Sequence, residues 1–228
     1  MKILLIEDEI KIVNFLKPNL EAEFFVIDVA NDGDQGSFLA RTNDYDLIIL
    51  DYVLPKSDGL QVCKEIKKEK KHTPIIMLTV KSELETKLKL FQEGVDDYMT
   101  KPFLFEELVA RIKAITKRPL KVENTVMRID DIMVNLDNHV IRRGGQEIYL
   151  TRKEFCLLEY FIKNKGKLLS RALILEHVWD MNADPFSNTI EAHILNLRKK
   201  LDPERNKTNI IHTVPSRGYK MELRKQCS

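Results

Sequence analysis

Two short apolar runs limit what this chain can become more than any other feature: DLIIL (Asp46–Leu50) and PIIMLT (Pro74–Thr79). Neither alternates with polar residues, and both lead into a polar side chain, Asp51 and Thr79. Such a run belongs to a strand covered on both faces, as in a parallel sheet flanked by helices. KILLI (Lys2–Ile6), FVIDVA (Phe25–Ala30) and VDDYM (Val95–Met99) read as three more strands. Between them apolar residues recur near helical spacing. The sets are Ile12, Phe15, Leu16, Leu20 and Phe24; Leu60, Val62, Cys63 and Ile66; Leu84, Leu88, Leu90 and Phe91, stopped by Gly94; and Leu108, Ile112 and Ile115. The alternation implies a doubly wound α/β domain with a five-stranded parallel sheet. Ligands of such sheets bind outside the carboxyl ends of the strands.

The pattern lapses from Thr116 to Asn124, around Pro119. The expected division is a first domain over 1–118, a linker over 119–124 and a second domain over 125–228. The second domain opens with short strands punctuated by Asp137–Asn138 and Gly144–Gly145, both turn signals. Three helices follow. The first starts at Thr151 with Glu154 three residues on, a capping box; the second is capped by Ser170; the third runs from Ser187 or Asn188 to about Leu201. IIHTV, a turn at Pro215–Gly218 and YKMEL close the domain as a hairpin, giving an α+β unit.

Charge separates the halves. Residues 1–120 carry 18 Lys/Arg against 21 Asp/Glu, a net of −3, and residues 121–228 carry 19 against 14, a net of +5. A polyanionic partner is therefore expected at the second half. The apolar runs fall far short of the ~20 residues that span a bilayer. MKILLIEDE turns acidic too early for a signal peptide, and Cys63, Cys156 and Cys227 have no metal-ligand spacing. A cytoplasmic protein without a membrane partner is expected.

Polar residues stand where the strands of the first half end. Glu7 and Asp8 follow the first strand, Asp51 the third, Lys101 the fifth, and Thr79 ends the fourth. Each alone has an ordinary explanation: a turn for Asp51, a helix cap for Thr79, a solvated loop for Lys101. Together, at one edge of a sheet, they make a coherent site. Crowded carboxylates favour a hard divalent cation such as Mg²⁺, and a carboxylate beside that ion is placed to attack a phosphoryl group. A phosphohydrolase would want a second acid two residues after Asp51, where Val53 stands.

These residues resemble the receiver domain of bacterial two-component response regulators, whose fold is flavodoxin-like. The resemblance implies that Asp51 is the phospho-acceptor, supplied by a sensor histidine kinase, with Thr79 and Lys101 binding the phosphoryl group. It implies Mg²⁺ held at Glu7, Asp8, Asp51 and the Val53 backbone carbonyl, a cis Lys101–Pro102 bond, and Tyr98 as the switch partner of Thr79. Val80 departs from the small residue usual there. The family dimerises when phosphorylated, through the helix before the last strand, that strand and the helix after it. Here that face carries Lys87, Phe91, Asp96, Asp97, Glu107, Ala110 and Arg111, with intersubunit pairs expected as Lys87–Glu107 and Asp97–Arg111.

In the second half, projection of the third helix at about 100° per residue puts Ile190, Ile194, Leu197 and Leu201 on one face. Asn188, Ala192, Leu195 and Lys199 lie opposite, flanked by Thr189, Glu191 and Asn196, with Arg198, Lys199 and Lys200 towards the end. An ordinary surface helix shares this pattern. The exposed Ala, Leu, amides and Thr also suit a major groove, and the cations suit phosphates. SNTIEAHILNLRKKLD (Ser187–Asp202) and IIHTVPSRGYKM (Ile210–Met221) resemble the winged-helix DNA-binding domain of the OmpR/PhoB class. That resemblance implies contacts to double-stranded DNA from the helix, including His193, and from Thr213 and Arg217 in the wing. It also implies that residues 178–186 form the loop that meets RNA polymerase in activators. Pro215 and Ser216 depart from the usual wing. The combined expectation is a phosphorylation-controlled transcription factor rather than an enzyme. The alternatives are a factor of the same fold that works without phosphorylation, disfavoured by the intact acidic set, and a phosphotransfer enzyme.

Overall fold

The computed structural model describes residues 1–55, 57–80, 90–116, 126–129, 131–136, 138–202 and 210–222. The chain divides into two compact units, Met1–Leu120 and Lys121–Ser228.

In the first unit, strands β1 (Lys2–Ile6), β2 (Val26–Ala30), β3 (Leu47–Asp51), β4 (Ile75–Thr79) and β5 (Asp97–Thr100) form a parallel sheet in the order β2-β1-β3-β4-β5. Among the described residues the helices are α1 (Ile10–Ala22), α2 (Gly33–Thr42), α3 (Gly59–Glu69) and α4 (Phe105–Thr116); residues 90–92 are also helical, and the rest of the helix expected through Leu84 and Leu88 lies outside the described residues. Side chains of a strand alternate between faces, and here both faces are core. Ile3, Leu5, Ile49 and Leu78 pack with Val13, Leu16 and Leu20 of α1 and Leu108 and Ile112 of α4. Leu4, Ile6, Ile48, Leu50 and Met77 pack with Leu60, Val62, Cys63 and Ile66 of α3. That two-sided burial is the reason the runs show no alternation.

The strand order reverses direction beside β1, between β2 and β3, so the carboxyl ends of β1 and β3 border a crevice. Gly59 closes the floor of that crevice. Its amide donates to Tyr52 O at 3.0 Å, and a Cβ added there would stand 2.2 Å from Asp51 O and 2.8 Å from Tyr52 Cα. Both are backbone atoms with no rotamer to escape into.

Helix α2 has no counterpart in the apolar spacing. Its buried residues are Gly33, Gly36, Ser37 and Ala40, all small. At Gly36 a Cβ would come within 2.6 Å of the Ile6 side chain. The helix packs by close approach rather than by a stripe of large residues, and Asp32 starts it by accepting from the Gln35 amide at 2.8 Å.

In the second unit, β6 (Val126–Ile129), β7 (Ile132–Asn135), β8 (Val140–Arg143) and β9 (Gln146–Ile148) form a sequential antiparallel sheet. Then come α5 (Arg152–Lys163), β10 (Leu168–Leu169), α6 (Arg171–Val178), α7 (Thr189–Leu201) and the hairpin of β11 (Ile211–Val214) and β12 (Gly218–Met221). The Thr151–Glu154 capping box and the Ser170 cap both form. Beyond the hairpin expected from the sequence, the two-residue strand β10 pairs with β12, so the wing belongs to a three-stranded sheet. Gly218, at φ 128°, passes so near Leu169 O that a Cβ would lie 2.1 Å from it. Among the described residues no helix is long and apolar enough to cross a membrane.

Gly59→Ala should destabilise the first unit by about 1–3 kcal/mol, the range for forcing bulk into a packed site. Denaturant unfolding of the full chain followed by circular dichroism checks this; an unchanged first-unit midpoint would mean that the floor of the crevice can yield.

Candidate functional site

At the carboxyl edge of the sheet, β1 delivers Glu7 and Asp8, β3 ends on Asp51, β4 ends on Thr79 and β5 leads into Lys101. Glu7 and Thr79 are fully buried, Asp51 is 7% exposed and Asp8 is exposed. The backbone fixes these positions: Glu7 N donates to Ala30 O at 3.0 Å, Tyr52 N to Leu78 O at 2.8 Å and Lys101 N to Thr79 O at 2.8 Å. The Lys101–Pro102 bond is cis.

One carboxylate oxygen from each of Glu7, Asp8 and Asp51 lies within 4.8 Å of the others. Lys101 Nζ donates to Glu7 Oε2 at 2.8 Å and to Asp51 Oδ2 at 2.9 Å. Burial disfavours the Lys101 charge, but the bonds to Glu7 and Asp51 outweigh it and raise its pKa. Burial likewise pushes the Glu7 carboxyl up, with the Asp51 charge adding to the effect and the Lys101 hydrogen bond opposing it, to about 7. Val53 and Val80 are exposed beside this edge. Tyr98 pairs with Met77, and Thr79 with Thr100, so Thr79 and Tyr98 are diagonal neighbours on one face of the sheet. The Tyr98 ring meets Phe91 edge-on, with centroids 5.7 Å apart.

In the second unit, α7 buries Ile190, Ile194, Leu197 and Leu201 and exposes Asn188, Ala192, Leu195, Asn196 and Lys199. Other residues expected to face DNA are tied inward. Glu191 binds Arg171 at 3.2 Å, and the His193 ring lies against Trp179, centroids 5.6 Å apart. Thr189 Oγ1 lies 2.7 Å from Ser187 Oγ. Arg198 Nε donates to Ile211 O and Nη2 to Thr213 Oγ1, both at 2.9 Å, and its guanidinium lies over the Tyr219 ring. Lys200 Nζ reaches Glu154 Oε2, in the capping box of α5, at 2.7 Å. Arg198 and Lys200 thus brace the domain, and of the cations expected to face DNA, Lys199 on the helix and Arg217 at the wing tip are exposed. Arg171, which no sequence pattern singled out, grips the approach to α7.

Residues 3–113 match the family described as response regulator receiver domain, and residues 145–221 match transcriptional regulatory protein, C terminal. The transcriptional regulatory protein CusR of Escherichia coli strain K12 is 40% identical over 224 residues, 98% of each chain. The cell cycle transcriptional regulator CtrA of Caulobacter vibrioides is 37% identical over 219 residues, 96% of this chain and 95% of that one. The chain is a two-component response regulator of the OmpR/PhoB class.

Among solved structures, a two-component response regulator from Clostridium difficile matches with a TM-score of 0.51 and 34% identity, over 53% of this chain and 99% of that one. The receiver domain of Francisella response regulator 1452 matches with a TM-score of 0.50 and 38% identity, over 51% and 97%. The class consists of phosphorylation-controlled, DNA-binding transcription regulators. Receiver domains of this class bind Mg²⁺ at an acidic pocket, and the all-oxygen set of Glu7, Asp8 and Asp51 fits such an ion.

On the face expected to dimerise, Lys87 lies outside the described residues. Phe91 and Ala110 are exposed. Asp96 instead accepts from Lys67 Nζ at 2.7 Å and from the Ile75 amide at 2.9 Å, anchoring the start of β4. Arg111 pairs within its own chain, with Asp97 at 2.8 Å and Glu107 at 2.7 Å. An intersubunit Asp97–Arg111 pair therefore requires an exchange of partners rather than the capture of free charges.

The two neighbouring lysines should behave differently on DNA. Lys199→Ala should weaken binding to any duplex and flatten the slope of log affinity against log salt by about one unit. Lys200→Ala should leave the slope unchanged and lower the melting temperature through Glu154. Salt titrations and thermal melts of both variants distinguish them; equal loss of slope would place both lysines on phosphates.

Proposed function

We propose that Asp51 accepts a phosphoryl group from a sensor histidine kinase, and that the phosphorylated chain pairs with a second copy and binds repeated half-sites in double-stranded DNA. The observation that carries this reading is the Lys101 ammonium shared between Asp51 and fully buried Glu7 at the carboxyl edge of the sheet.

An Asp51 carboxylate oxygen attacks phosphorus, the bond from phosphorus to the donor imidazole nitrogen breaks, and the imidazole leaves with that electron pair. Lys101 exchanges one carboxylate contact for a phosphoryl oxygen, and the Thr79 hydroxyl donates to another. Glu7, Asp8, Asp51 and the Val53 carbonyl would hold Mg²⁺, which when bound offsets charge on the transferred oxygens. Asp51 and Thr79 end adjacent strands, so a hydroxyl drawn towards the phosphoryl group leaves space on the Tyr98 side of the sheet. Movement of Tyr98, which packs on Phe91, then alters the face that carries Asp97, Glu107 and Arg111.

The output follows from α7. Asn188, Ala192, Leu195 and Asn196 form the base-reading face, and Lys199 and Arg217 supply phosphate contacts. The loop before α7 exposes Phe186 at 92% and Met181 at 45%, apolar side chains suited to RNA polymerase.

Acetyl phosphate with Mg²⁺ should add one phosphoryl mass and shift the sedimenting species from monomer to dimer. Asp51→Asn should do neither, EDTA should suppress both, and Arg111→Ala should keep the mass while weakening the dimer. Equal labelling of Asp51→Asn would overturn the assignment of the acceptor.

A further inference from the structure

Helix α7 begins without a side-chain cap. Asn188 occupies the N-cap position, yet its side chain makes no bond to the first-turn amides. Glu191, third in the helix, is the residue type that reaches back to the N-cap amide in a capping box. In α5 the equivalent Glu154 does so. In α7 Glu191 turns away, and its Oε1 accepts from Arg171 Nε at 3.2 Å.

The other guanidinium nitrogens are also committed. Nη1 donates to Pro185 O and Nη2 to Ser187 O. Arg171 is the first residue of α6, set in place by the Ser170 cap. One rigid guanidinium therefore holds the last residues of the loop and the first turn of α7 together. The loop closes on itself as well, with the Phe186 amide donating to Asp184 Oδ1 at 2.8 Å and Ser187 Oγ to Asp184 O at 3.0 Å.

We infer that Arg171 is a positioning residue that fixes the start of the DNA-reading helix in place of an N-cap, leaving the exposed Asn188 side chain free for the groove. The inference rests on the reading of α7 as the helix that faces DNA. An Asn oxygen that accepts a first-turn amide is not available to a base edge. Moving the task to a guanidinium on another helix frees it. Arginine suits the task because its planar fork serves three acceptors at once, which a lysine ammonium on a flexible stem does not reproduce. Three of its five N–H donors are turned to protein, so its role here is to position α7 rather than to contact phosphate.

The test uses the full chain and a duplex that the wild type selects from a random pool. Arg171→Gln should lose about tenfold or more on the selected duplex, the scale of a lost charge-assisted hydrogen bond, and little on random duplex. Hydrogen exchange at residues 189–191 should quicken while α5 is unchanged. Arg171→Lys should fall between. Glu191→Gln, which keeps the side-chain shape, should show a smaller loss in the same direction and serves if Arg171→Gln does not fold. Equal loss on both duplexes would make Arg171 a phosphate contact. Unchanged exchange and affinity would likewise overturn the inference while leaving α7 as the reading helix. A wild type that selects no duplex would overturn the DNA reading itself.

Discussion

A buried carboxylate is tolerated only with a partner, and in the first unit two of them share one. The Lys101 ammonium lies 2.8 Å from Glu7 and 2.9 Å from Asp51. The topology of that unit brings these groups together. A parallel sheet brings all its carboxyl ends to one edge. The strand order sets β1 beside β3, hence Glu7 and Asp8 beside Asp51, and β5 returns Lys101 from the outside. Two apolar layers cover the strands and hold those ends fixed. Without the ammonium, Glu7 and Asp51 would repel in a poorly solvated crevice. With it, the pocket suits the phosphoryl transfer proposed for Asp51, which would add negative charge there and redistribute the lysine's bonds.

The second unit uses cations differently. On a DNA-binding surface the sequence invites every Lys and Arg to be counted as a phosphate contact. Arg198 instead holds the wing to α7 through Ile211 O and Thr213, Lys200 ties α7 to α5, and Arg171 ties α6 to the approach of α7. These bonds tie α7, the helix proposed to read DNA, to the wing, to α5 and to α6. Specific recognition needs such fixing, because a base contact only discriminates when its donor is held in register.

Much of this is legible in the sequence. The strands were readable because two-sided burial leaves an unbroken apolar run, and the pocket because strand ends are easily placed. Helix α2 was not, since its buried face is Gly33, Gly36, Ser37 and Ala40, and small residues leave no hydrophobic stripe. Helix α1 continues through Pro18, where burial of Val13, Leu16 and Leu20 outweighs one lost backbone bond. The pairing of β10 with β12 spans two residues, too few for a period. The internal use of Arg198, Lys200 and Arg111 was invisible for another reason. Periodicity tells which face a cation occupies, not which acceptor from a distant segment, such as Glu154 46 residues away from Lys200, comes to meet it.

Phosphorylation of Asp51 is proposed to govern the DNA affinity of the second unit. The most direct test is the affinity of the full chain for its selected duplex, before and after treatment with acetyl phosphate and Mg²⁺, beside Asp51→Asn treated identically. The wild type should gain about 5–150-fold, the usual range of coupling between two sites, and the variant nothing. Equal affinity of the phosphorylated and unphosphorylated wild type would contradict this proposal.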